Sequence, residues 1–231
     1  MADVSKTSKL IEIIGKNIVN SDFKEGDMFE SEHSLCDKYN VSRGVIREVL
    51  QRLSEKGLIE KRLHKCWRVC GKEEWDILDD DLIDWCFGSN LHQELYLQFF
   101  EFRKEVEPRA IVLATLRATD QDISNLQQSL DLMKESVNDQ KQFVIADVLF
   151  HQNLFKATHN SVFAKIGQSL SRILKYSVFK TYRRNKISMD ETIRTHTEIL
   201  KAIEKRDTLL ANDLLLKVIF RASELINSKE E

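Results

Sequence analysis

Six of the seven glycines fall before residue 90, so the second half of the chain carries only Gly167 and the single proline, Pro108. A stretch this long with so few breakers, and with apolar residues recurring every three or four positions, is constrained to pack as helices. The spacing predicts six of them, over residues 91–119, 120–137, 142–158, 161–185, 189–206 and 208–228. His159 and Asn160 turn the chain between the third and fourth. Pro108 is expected to kink the first, because it removes a donor and crowds the preceding turn.

The first 72 residues have a different rhythm. Leu10, Ile11, Ile14, Ile18 and Val19 line one face of a first helix. Ser31 is placed to cap a second helix ending at Tyr39, Asn40-Val41 makes a tight turn, and Ser42 is placed to cap a third. That third helix carries Val45, Ile46, Val49, Leu50 and Leu53 along one side and stops at Gly57. Leu58 to Lys61 and Arg68 to Cys70 then read as short strands around a basic tip. The fold expected is mainly α. A winged helix-turn-helix over 1–72 joins an all-α six-helix bundle over 91–231 through an acidic connector, 73–90, in which Trp75 and Trp85 serve as packing anchors.

Length and composition suit two globular domains. No apolar run approaches the roughly 18 residues that span a bilayer, and Met1 to Leu10 lacks the apolar core of a secretory signal. The four cysteines show no Cys-x-x-Cys spacing, so they are expected to be reduced structural thiols of a cytoplasmic protein.

The net charge of −2 hides a strong local asymmetry. From Lys38 to Arg68 there are nine basic residues against three acidic ones, whereas Glu73 to Asp84 has seven acidic residues and no basic one. A basic patch on a near-neutral chain is the footprint of a localised polyanion site. In a helix-turn-helix the amino end of the second helix meets base edges in the major groove, which here presents Ser42, Arg43, Gly44 and Arg47. Arg43 and Arg47 lie one turn apart on the side opposite the apolar stripe, and a planar guanidinium can donate two hydrogen bonds to guanine or to phosphate. Gly44 costs helix stability, yet it leaves the backbone free to approach DNA.

In the second half, Asp147 and His151 share a helix face among Phe143, Phe150 and Leu154. A buried carboxylate and imidazole need partners. A simple Asp–His hydrogen bond answers that need, and so does a divalent metal ion, zinc being the leading candidate. His196, among Ile193, Ile199, Leu200 and Ile203, is placed to face the same core. Arg103, with Phe99, Phe100 and Val106 around it, has two readings: a pair with Glu107 one turn on, or a bidentate clamp on a ligand carboxylate.

The run from Glu30 to Glu60 resembles the GntR family of bacterial regulators. That resemblance implies that Arg43 and Arg47 contact DNA, with Ser42 on phosphate or base. His33 stands where many members carry a DNA-contacting arginine, and the wing has His64, Lys65 and Cys66 where relatives have glycines. Arg103, Glu107-Pro108, Asp147-x-x-x-His151 and His196 resemble the FCD ligand-binding domain of the FadR subfamily. The resemblance implies a metal held by one Asp and three His with a carboxylate effector beside it. Asp147, His151 and His196 match three of those ligands, while Val218 stands at the fourth. The stretch Trp75 to Trp85 and the missing histidine resemble family members governing sugar-acid use, which makes a sugar acid the leading effector, with Tyr182 and the Arg183-Arg184 pair as further contacts. The expected protein is therefore a homodimeric regulator, with a repressor's role favoured, that binds a double-stranded operator and is not an enzyme. Two alternatives stand beside it: a metal-dependent enzyme using Asp147, His151 and His196, and a DNA-binding scaffold without an effector.

Overall fold

The computed structural model describes residues 6–62, 66–87, 92–183 and 189–227, with side chains of 92–93, 177–183 and 222–227 left aside. Contacts divide the chain into two units, Met1–Leu95 and Tyr96–Glu231. Among the described residues no helix is long and apolar enough to cross a membrane.

The first unit begins with α1 (Lys6–Val19), α2 (Glu32–Tyr39) and α3 (Arg43–Glu55). The caps fall where the serines stand. Ser31 Oγ accepts from the Ser34 amide at 3.2 Å and Ser42 Oγ from the Val45 amide at 3.4 Å, each satisfying an orphan donor of a first turn. Asn40 ends α2 in the left-handed region at φ 50°, a conformation its short polar side chain tolerates. Ile46, Val49, Leu50 and Leu53 of α3 pack with Leu10, Ile14 and Ile18 of α1 in one core.

The wing is the antiparallel pair β1 (Ile59–Lys61) and β2 (Trp67–Val69), with Ile59 opposite Val69 and Lys61 opposite Trp67. Trp67, read from sequence as part of the basic tip, is instead buried in β2, since its indole is worth more inside the core than in solvent. A third segment joins the ribbon: Met28 bridges Arg68, and the Phe29 amide donates to the Trp67 carbonyl at 2.8 Å.

The expected acidic connector is not a linker. Residues 73–90 hold most of a 3-10 turn (Lys72–Glu74) and a helix, α4 (Asp80–Phe87). Leu82, Trp85 and Cys86 are buried in the first unit's core, and Trp75 packs against its margin, so the two tryptophans do anchor the segment. The acids have structural partners: Lys56 Nζ donates to Asp79 at 2.7 Å and to Asp81 at 2.7 Å, and Asp79 Oδ1 accepts from the Leu82 amide. A side chain on Gly15 of α1 would fall inside the Trp85 ring, so glycine is what lets α4 lie close.

The second unit is α5 (His92–Arg117), which starts in the tail of the first, followed by α6 (Asp120–Glu135), α7 (Gln140–Lys156), α8 (Ser161–Arg183), α9 (Met189–Glu204) and α10 (Thr208–Asn227). These are the six expected helices. α5 continues as one helix on both sides of Pro108. Thr119 and Asp122 form a reciprocal capping box at the start of α6. Arg206, at φ 60°, ends the α9 turn and donates to the Thr115 and Ala118 carbonyls at the end of α5. α7 lies between α6 and α8 and is buried nearly all round, with Phe143, Phe150 and Phe155 among the largest enclosed side chains.

Candidate functional site

Two sites emerge, one on each unit. On the first, Ser42, Arg43, Gly44 and Arg47 are all exposed along the start of α3, opposite the buried Ile46, Val49, Leu50 and Leu53. A Cβ on Gly44 would meet only Ser42 Oγ, at 3.8 Å. No packing inside the chain demands glycine there, which leaves an approaching ligand as the physical reason. His33 is exposed on α2, its Nδ1 3.7 Å from Asp37. His64 and Lys65 lie outside the described residues, as does the side chain of Tyr182.

The basic patch is less free than its composition suggests. Arg47 Nε donates to Glu32 Oε2 at 2.9 Å, Lys38 pairs with Glu30, Lys56 with Asp79, and both Arg62 and Arg68 with Glu60. Arg47 nevertheless remains 69% exposed, and an Nε contact leaves the terminal nitrogens facing outward. Glu32 was not anticipated. It lies fifteen residues away on the neighbouring helix, a pairing that only the α2–α3 turn brings about.

On the second unit, Arg103 and Glu107 of α5, Asp147 and His151 of α7 and His196 of α9 come together, all buried. Arg103 donates through Nε and Nη2 to the two Glu107 oxygens. Burial works against the Arg103 charge, but Glu107 outweighs it, so the guanidinium stays charged. The pair read as one option for Arg103 is therefore made, and the guanidinium is not a free clamp. Glu107 Oε2 also lies 3.7 Å from His151 Nδ1.

One ligand atom from each of Asp147, His151 and His196 lies within 4.8 Å of the others. His196 Nδ1 is 2.9 Å from the Thr192 carbonyl, which can only accept, so Nδ1 carries the proton and a neutral ring presents a lone pair at Nε2. That Nε2 faces Asp147 Oδ1 at 3.2 Å, within ion-pair range, yet no hydrogen bond joins them and both atoms are buried without a partner. Two acceptors held face to face out of water are costly unless a cation lies between them. A proton on His196 would serve, and so would a divalent metal. Nitrogen and oxygen donors of this kind suit zinc, and the carbonyl-fixed imidazole is the usual outer support of a metal-binding histidine. The residues present thus fit a metal. Val218, at the expected fourth position, is half-buried on α10 and offers no donor.

Burial pushes the His151 imidazole down from 6.5 to about 3, Asp147 only partly opposing the shift while His196 and Arg103 add to it. The folded form therefore refuses a proton that the unfolded chain accepts below pH 6.5, so stability is complete above that pH and declines as pH falls towards 3. Urea titrations in chelator should lose up to roughly 1 kcal/mol per pH unit through this group. His151→Gln should flatten that slope between pH 6.5 and 5. An unchanged slope would show that His151 is already protonated when folded.

Comparison with known proteins places both sites. Residues 6–69 match the model of the bacterial regulatory proteins of the gntR family, and residues 98–220 match the FCD domain. The galactonate operon transcriptional repressor of Escherichia coli K12 is 27% identical, over 94% of each chain. The transcriptional repressor NanR of Cronobacter sakazakii is 27% identical over 98% of this chain and 88% of its own. Among solved structures, Lar, which controls expression of the Listeria monocytogenes agr system, superposes with a TM-score of 0.72 over 100% of both chains. At 14% identity that likeness speaks for the fold alone.

Proposed function

Because the chain belongs to the GntR family of bacterial regulatory proteins and carries the FCD domain, and is thus a transcriptional regulator rather than an enzyme, we propose that it represses an operon for sugar-acid use. It binds its operator as a homodimer through α3 and releases it when a small carboxylate enters the α5–α7–α9 site. The observation that carries the effector site is the pair of unsatisfied acceptors, Asp147 Oδ1 and His196 Nε2. Family membership sets aside the metal-dependent enzyme.

A divalent ion held by Asp147, His151 and His196 would supply a Lewis-acidic anchor for an anion. Charge balance supports that reading. One buried guanidinium against two buried carboxylates leaves one negative charge over, and a divalent ion turns the surplus into one positive charge. A monocarboxylate cancels it. Val218 in place of a fourth ligand leaves room for the effector's oxygens, and the polyhydroxy character proposed for the effector comes from the galactonate operon repressor among the relatives. Coupling to DNA then requires only that the effector prefer arrangements of the dimer in which the two α3 helices no longer match the half-sites.

Elemental analysis of the purified protein should find about one divalent ion per chain, held by groups of the donor types that suit zinc. His196→Ala should lose it while keeping operator affinity in a gel-shift assay. Calorimetry of the metal-loaded protein against galactonate, other aldonates, hexuronates and simple hydroxy acids identifies the effector. Metal retained at the wild-type level in His196→Ala would overturn the metal assignment, and silence across the panel would favour a DNA-binding scaffold.

A further inference from the structure

Helix α5 has two faces of opposite character. Arg103 and Glu107 turn inward to the buried site. About half a turn round, Leu97, Phe102 and Leu116 are 38%, 42% and 61% exposed. Between them Lys104, Pro108 and Val112 form one wall of a cleft of about 470 Å³, whose other wall is α10 with Leu209 and Leu216. A contiguous apolar stripe around an open cleft is unusual on a surface that stays in water.

The charges on this stripe say what covers it. Glu101, Lys104, Glu105 and Arg109 lie within about two turns, all on the outward face. Among the described residues, Glu101, Glu105 and Arg109 make no ion pair within the chain. Their order along the helix is acid, base, acid, base, which is self-complementary when the helix meets its own copy running the other way. We propose that this face of α5 is where a second copy of the chain docks, the two α5 helices crossing antiparallel about a two-fold axis beside Lys104 and Glu105. In that register Lys104 faces Glu105 of the partner subunit, and Arg109 faces Glu101 of the partner subunit. Pro108 stacks on the partner's Phe102, and Val112 meets the partner's Leu97. Two-fold symmetry makes every one of these contacts twice. A parallel crossing would instead set each charge against its own copy. An unrelated partner has no reason to match an order that reads alike from both ends.

The inference rests on the dimeric reading above and is tested on the full chain. Sedimentation analysis should show a dimer that Lys104→Glu weakens about tenfold, since the reversal opposes like charges at two symmetric positions. Glu105→Lys should do the same, and the two changes together should restore wild-type association. These residues lie on the outer face, so circular dichroism should be unaltered. In a Cys66→Ser background, which removes the exposed native thiol, Glu105→Cys should cross-link to its own copy with a short bis-maleimide, and Leu132→Cys on α6 should not. A dimer indifferent to both single reversals, a swap that fails to rescue, or an uncross-linked Glu105→Cys would place the interface elsewhere and leave the regulator reading standing. A wild-type chain that is monomeric on its own operator would remove the dimer itself.

Discussion

Arg103→Ala is expected to lower unfolding stability by about 3–5 kcal/mol, the loss found when one partner of a buried ion pair is removed. The guanidinium is 4% exposed and Glu107 1%, and Arg103 spans both oxygens of that carboxylate. Without it, Glu107 is left charged, enclosed and beside Asp147, whose negative charge shares the cavity. Urea denaturation of the metal-free protein reads the effect directly. Replacing both partners, Arg103→Met with Glu107→Met, should recover most of the loss, because two apolar chains of similar volume leave no charge stranded. The double variant also separates two roles that the single one confounds. It should still bind operator, and it should no longer release it on addition of the carboxylate that calorimetry identifies. A loss below about 1 kcal/mol in Arg103→Ala would mean the pair is water-exposed in solution, as surface pairs of that worth are.

The second large effect is on DNA. Arg43→Ala and Arg47→Ala should each weaken operator binding by about 10- to 100-fold, the range for losing a bidentate base contact. Stability should stay within about 0.5 kcal/mol of wild type, since both side chains are exposed. Breaking the Arg47–Glu32 pair adds little, because an exposed pair is worth at most about 1 kcal/mol. Fluorescence anisotropy at one salt concentration, on operator and on a scrambled duplex, distinguishes base reading from phosphate contact. If affinity for both duplexes falls equally, the arginines touch phosphate and the sequence is read elsewhere.

Much of this was legible in the residues. Ser31 and Ser42 announce their helices because a cap is a local device, settled within four residues. The six helices of the second unit follow from periodicity with few interruptions, and Asp147 with His151 follows from one helical turn. What escaped depends on distant parts of the chain meeting. The third strand at Met28 and Phe29 has no pattern of its own and exists only because β2 offers a free edge. Trp67 sits among basic residues in sequence yet lies across from Lys61 in the ribbon. The segment 73–90 was misread because its acids dominate the composition, although Leu82, Trp85 and Cys86 already carry helical spacing. The bond from Glu32 to Arg47 needs two helices to be set at an angle, and nothing in either one encodes it alone.

The helix formed by Asp80–Phe87 moves the seam at which this molecule can be divided. Its tryptophan fills the notch left by Gly15, so cutting at residue 72 would strip a wall from the reading head and bare the greasy side of its opening helix. A head meant for transplantation onto another sensor must carry those extra residues with it. Changes to the acidic stretch, though it looks like a tether, will be felt as changes in how well the DNA reader folds.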